Sequence, residues 1–159
     1  MYGIQETDNP EKLDKQYQEL TTQINKHQQE GSVILMGDIN AKLEIQKEQC
    51  QQKESKNGQR LKNLMHNTKT SAINLLDTHR GVWTRENRNN QQEKPVIDYI
   101  ITSDSITKQV IESQTDDQDI YQIKGRKRTD HNVLTATIRT NMTKTENKIK
   151  KWKKGELQQ

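Results

Sequence analysis

The chain has 159 residues, enough for one domain and little else, and only 28% of them are hydrophobic against 30% charged. Four Tyr, two Trp and no Phe leave a modest core, and no apolar run is long enough to span a bilayer. The net charge of +4 lies entirely in residues 141–159, where six Lys face two Glu, so nucleic-acid binding must rest on local features rather than bulk charge.

Tyr2-Gly3-Ile4 reads as the end of a strand. Asn9-Pro10 supplies an N-cap and a proline at the first helical position, and Leu13, Tyr17, Leu20 and Ile24 then follow at helical spacing until Gly31. Val33-Ile34-Leu35-Met36 is a continuous apolar run before Gly37, which predicts a strand buried on both faces in the centre of a layered α/β protein. Residues 44–57 are rich in Gln, Lys and Glu and read as a surface loop, and Gly58 to His66 as a short helix. Strands are predicted over Ile73–Leu76, Val82–Thr84, Val96–Thr102 and Val133–Ile138, with Ile120–Ile123 as a weaker one. In the Val133–Ile138 strand, Leu134, Ala136 and Ile138 form the apolar face. The organisation is therefore a domain over 1–140 followed by a Lys-rich linker or tail over 141–159.

The single Cys50 excludes an intramolecular disulfide, and His27, His66, His79 and His131 show no zinc-ligand spacing with it. A reducing compartment follows, so an intracellular site, nuclear or cytoplasmic, is expected.

Three short motifs sit at strand ends. Gly37-Asp38-Ile39-Asn40 closes the first apolar run, where glycine permits a sharp turn and Asp and Asn present an acceptor and a donor. Asp98 interrupts Ile97-Asp98-Tyr99-Ile100-Ile101, where a carboxylate is costly to bury unless something hydrogen-bonds or neutralises it. Thr129-Asp130-His131 directly precedes the last strand. Taken singly, each also fits an ordinary strand-to-loop turn or a solvent-facing edge. Lys124-Gly125-Arg126-Lys127-Arg128 puts four cations beside the third motif, either as a grip on a phosphate backbone or as a basic turn balancing Asp116, Asp117 and Asp119.

In this order the three motifs resemble those of the endonuclease/exonuclease/phosphatase family. The nearest likeness is to the endonuclease domain of LINE-type (non-LTR) retrotransposons, through Asn57-Gly58-x-Arg60-Leu61, Val82-Trp83-Thr84-Arg85 and Ile97-Asp98-Tyr99-Ile100. The resemblance spans residues 2–140, with Ile39 in place of the usual Phe and Thr129 in place of the usual Ser. It implies an α/β fold, the C-terminal portion of a deoxyribonuclease-like four-layer α/β/β/α sandwich. The front half, with its Asn and its metal-binding Glu, is absent from it.

The activity implied is Mg²⁺-dependent (or Mn²⁺-dependent) nicking of DNA, with a reverse transcriptase downstream as a possible partner and no membrane. The resemblance assigns Asp38 to the attacking water, Asn40 and Tyr2 to phosphate oxygens, and His131 to the phosphate as donor or acid. It makes Asp98 the partner that orients His131 and puts Asp130 in or beside the metal shell. The basic loop of Lys124, Arg126, Lys127 and Arg128 falls to nucleic acid. Without the front half the chain is expected to work poorly alone, and the competing reading is an inactive remnant that acts as a binding module.

Overall fold

The computed structural model describes residues 9–86, 93–118, 120 and 129–140. Helix α1 (Pro10–Gln28) begins as its sequence demands: the Asn9 side chain accepts from the Glu11 N–H, with proline at the first position. It buries Leu13, Tyr17 and Ile24, and the chain turns at Gln29, two residues after which the Gly31 N–H still bonds to the His27 carbonyl. Helix α2 (Lys56–Thr68) is longer at both ends than its apolar spacing predicts, because Ser55 caps it through the Gly58 N–H and Lys69 closes it in the left-handed region. The two helices are joined by an ion pair from Arg60 to Asp14 at 2.6 Å.

Strands β1 (Ile34–Asp38), β4 (Thr70–Ala72) and β5 (Asp98–Ser103) form an antiparallel sheet in the order β1-β5-β4. Tyr99, Ile101 and Ala72 join Leu13, Tyr17, Ile24, Leu61 and Leu64 in one core cluster, so α1 and α2 cover that face. Each such side chain removed from water contributes about 1.5–3 kcal/mol. The opposite face carries Asp98, Ile100 and Thr102 and meets a second antiparallel sheet of β6 (Val110–Thr115) and β7 (Leu134–Ile138). The result is a mixed α/β fold built on antiparallel sheets.

The central strand is β5 rather than β1. Among the described residues β1 pairs only with β5, and Ile34 and Met36 are 44% and 57% exposed, so the expected burial on both faces is not found. The supposed loop over 44–57 holds a hairpin of β2 (Ile45–Lys47) and β3 (Cys50–Gln52). Its inward position is filled by Gln52, whose amide donates to the Leu43 and Val96 carbonyls and accepts from the Val96 N–H. Ile73–Leu75 is a 3₁₀ turn and not a strand. There the Asn74 side chain does the bonding, donating to the Asp98 carbonyl and accepting from the Ile100 N–H.

Val82–Thr84 is likewise extended chain outside any strand, held by bonds from the Thr84 and Arg85 N–H groups to the Pro95 carbonyl. The predicted Val96 start of β5 falls two residues early, and Leu134, Ala136 and Ile138 in β7 are only half-buried. Of Ile120–Ile123 only exposed Ile120 is described, its N–H donating to the Asp116 carboxylate; Tyr2–Ile4 and 141–159 lie outside the described residues. No helix among the described residues is long and apolar enough to cross a membrane.

Strand β6 escaped the sequence reading because its polarity is inverted: Ile111 is exposed, whereas Ser113 and Thr115 are buried against His79. The two hydroxyls lie 2.9 Å from the two ring nitrogens of that histidine. Burial, with the charge of Lys47, lowers the His79 pKa from 6.5 to about 4. Its folded value lies below its unfolded one, so the stability it contributes is complete above pH 6.5 and is lost as the pH falls from 6.5 through 4. Denaturant titrations at pH 7 and pH 4 should therefore differ by about 3 kcal/mol from this residue alone. His79→Asn should shrink the pH dependence by that amount.

Candidate active site

The site starts from strand register. Asp38 and Asp98 are direct partners across the β1–β5 ladder, so two carboxylates meet at one end of the sheet, an arrangement that is destabilising without compensation. Gly37, at φ 146°, brings the chain into Asp38 in a conformation other residues avoid. The turn after it is closed by the Asp38 carboxylate accepting from the Asn40 N–H at 2.9 Å, with Asn40 itself at φ 52°. Buried Ile39 anchors the turn from below.

The following loop is held from several sides. The Tyr99 hydroxyl donates to the Ala41 carbonyl at 2.9 Å, and the Asn57 amide to the Asn40 carbonyl at 3.4 Å. Gly58 permits the close approach: a Cβ there would lie 1.9 Å from the Lys42 carbonyl oxygen. Asn57-Gly58-x-Arg60-Leu61 thus works as support, locking the loop that carries Asn40 onto α2.

His131 Nδ1 lies 2.9 and 3.1 Å from the two carboxylate oxygens of Asp98. With Nδ1–H donating to the carboxylate, Nε2 is left as the working nitrogen. Burial raises the Asp98 pKa and the Asp38 charge adds to it, while the Thr84 hydroxyl and His131 pull it back. Thr84, itself fully buried, also accepts from the Ile97 and Asp98 N–H groups at 3.0 Å, fixing the start of β5. His131 is placed by a bridge to Arg85, by the Asn132 amide donating to the Trp83 carbonyl, and by the Asn132 N–H donating to the Thr84 carbonyl. The stretch over 82–85 therefore ties two site residues together.

Asp38, Asp98 and His131 each offer a ligand atom, and these atoms all lie within 4.8 Å of one another. The two hard carboxylate oxygens suit a divalent cation such as Mg²⁺ or Mn²⁺, whereas the imidazole is a ligand of softer transition-metal ions. Asp130 lies outside this group. Although partial burial pushes its carboxyl up, the hydrogen bond and charge of Arg85 at 2.9 Å hold it below the usual range. Tyr2 and the loop of Lys124, Arg126, Lys127 and Arg128 lie outside the described residues. Thr84, Arg85, Asn57 and Asn74 are supporting residues to which motif reading alone assigned no part.

The mixed α/β fold on antiparallel sheets thus carries two register-paired carboxylates and a carboxylate-bound histidine at one sheet end. The sequence model of the endonuclease-reverse transcriptase family matches residues 4–134, and the chain belongs to that family. Its fold is similar to that of a 3′-5′ exonuclease from Neisseria meningitidis, at 18% identity and a TM-score of 0.59. The similarity covers 82% of this chain and 56% of the exonuclease, so the chain spans little more than half the length of that structure. No curated protein matches the chain.

Proposed function

We propose that this chain is the catalytic part of a Mg²⁺- or Mn²⁺-dependent DNA endonuclease that nicks duplex DNA. It is of the retrotransposon type, working inside the cell, in the nucleus or cytoplasm, with a downstream reverse transcriptase as partner. The observation that carries this reading is the Asp98–His131 pair facing Asp38 across the β1–β5 register. The whole activity belongs to a complete nuclease fold, of which the chain supplies about half.

A cation held by the Asp38 carboxylate, with Asp130 beside it, would neutralise charge on the phosphodiester and lower the pKa of a bound water. The chain's own groups divide the remaining work. Asp38 orients the attacking water and accepts its proton, and the Asn40 amide donates to a phosphoryl oxygen. His131 presents Nε2 to the phosphate as a hydrogen-bond donor, where negative charge grows in the transition state. Asp98 fixes the His131 tautomer and ring orientation. Tyr2 reaches a phosphate oxygen, and Lys124, Arg126, Lys127 and Arg128 hold the backbone next to the scissile bond.

Nicking of supercoiled plasmid tests the reading, measured with Mg²⁺, with Mn²⁺ and with chelator, against an Asp38→Ala control. Open circles should appear only with metal and Asp38, and faster when the chain is joined to the part of the fold it does not span. Absence of metal- and Asp38-dependent nicking in both forms would falsify it.

A further inference from the structure

Beside the site lies a cleft of about 370 Å³ that the mechanism leaves unused, lined by Lys42, Lys53, Lys94 and Trp83, by the β3 residues between them, and by one carboxylate, Glu93. Its two walls grow out of the site. Lys42 follows Asn40 by two residues, on the loop pinned by Asn57 and Tyr99. Trp83 immediately precedes Thr84, which bonds the start of β5 at Asp98, and the Trp83 carbonyl receives the amide of Asn132 next to His131. At 3.8 Å per residue, the Lys42 wall begins within roughly 8 Å of the Asn40 backbone.

The chemistry of the lining is specific. Lys42 and Lys53 are exposed and make no ion pair among the described residues, so each offers a free ammonium to the cleft. Lys94 sits 4.5 Å from the centroid of the Trp83 ring while pairing with Glu86 at 3.2 Å, which braces a half-buried indole in the cleft wall. Cations that track a backbone, interleaved with an aromatic face, are the surface on which nucleic-acid strands are held.

Resting on the nuclease reading, we propose that this cleft seats the DNA strand flanking the scissile phosphate. Lys42 and Lys53 contact successive phosphates, and Trp83, steadied by Lys94, packs on the sugar and base between them. Residues 42–53, which overlap the 44–57 stretch that composition marks as a surface loop, thereby become a substrate-binding wall.

Binding of a fluorescent 20-base-pair duplex is measured in chelator, so that nothing is cut, across a series of salt concentrations. The variants are Lys42→Gln/Lys53→Gln, Trp83→Ala, and a control pair Lys15→Gln/Lys26→Gln on the exposed side of α1. The slope of log affinity against log salt should fall by about two for the cleft pair and stay unchanged for the control, since each phosphate contact contributes about 0.9. Trp83→Ala should weaken binding roughly tenfold with the slope intact. Thermal unfolding and circular dichroism of each variant separate this from misfolding, and Trp83→Phe should restore most of the affinity.

A wild-type slope in the cleft pair, an equal loss in the control pair, or no duplex binding by the chain overturns the proposal. The nuclease reading is judged separately by metal- and Asp38-dependent nicking. Should nicking fail while the cleft lysines still carry the salt slope, the cleft stands and the catalytic reading falls.

Discussion

In a protein carrying the complete fold, Asp38→Asn and His131→Ala should each slow plasmid nicking by about 10²–10³-fold while duplex affinity stays nearly constant. On the proposed reading both side chains face the reacting phosphate and their interactions strengthen as charge builds, so their loss should appear in rate rather than in binding. Asp38→Asn also has a second expected effect, of opposite sign. Asp38 and Asp98 are register partners, and the charge of the first adds to the rise in the pKa of the second. Removing it should let Asp98 ionise more easily and leave the fold as stable as before, or slightly more so. Loss of activity with thermal stability kept or gained identifies a residue retained for chemistry at the expense of the fold. Loss of both would mean that Asp38 is a turn residue whose carboxylate merely closes the bond to the Asn40 N–H.

What the sequence made legible followed from rules with a strong physical basis. Asn9-Pro10 and the spacing from Leu13 to Ile24 define α1 because a cap and a buried stripe act locally. Asp38, Asp98 and His131 stand out as polar residues at the ends of apolar runs, and the fold gathers all three. What stayed hidden are places where a polar side chain does the work of backbone or core. Gln52 fills the inner face of the β2–β3 hairpin, Asn74 replaces strand bonds beside β5, and Ser113 and Thr115 are buried because His79 occupies both hydroxyls. In each case hydropathy points the wrong way, since the cost of burying the polar group is offset by a partner distant in sequence. The edge position of β1 was equally hidden: a continuous apolar run reads as buried on both faces, yet pairing with β5 leaves Ile34 and Met36 exposed. The supporting roles of Thr84 and Arg85 needed the fold as well, because they join residues that lie more than a dozen positions apart.

Asp98→Ala should cost almost as much in nicking rate as His131→Ala, and the double mutant should be scarcely slower than the His131 single. Asp98 does not face the phosphate in this reading; it acts through His131 Nδ1, to which both its oxygens lie close. Once the imidazole is gone, nothing remains for the carboxylate to orient, so the second substitution has little left to remove. If Asp98 also holds the cation, the two losses become partly independent and the double mutant falls further. The cycle thus distinguishes a pair that works as a unit from a carboxylate with two duties. Asp98→Asn sharpens the distinction. An amide keeps the size and one acceptor but removes the charge that fixes the tautomer, so it should lower the rate while leaving duplex binding unchanged. Measured rates that simply multiply across the cycle would show that Asp98 and His131 act separately and that the 2.9 Å contact between them is structural only.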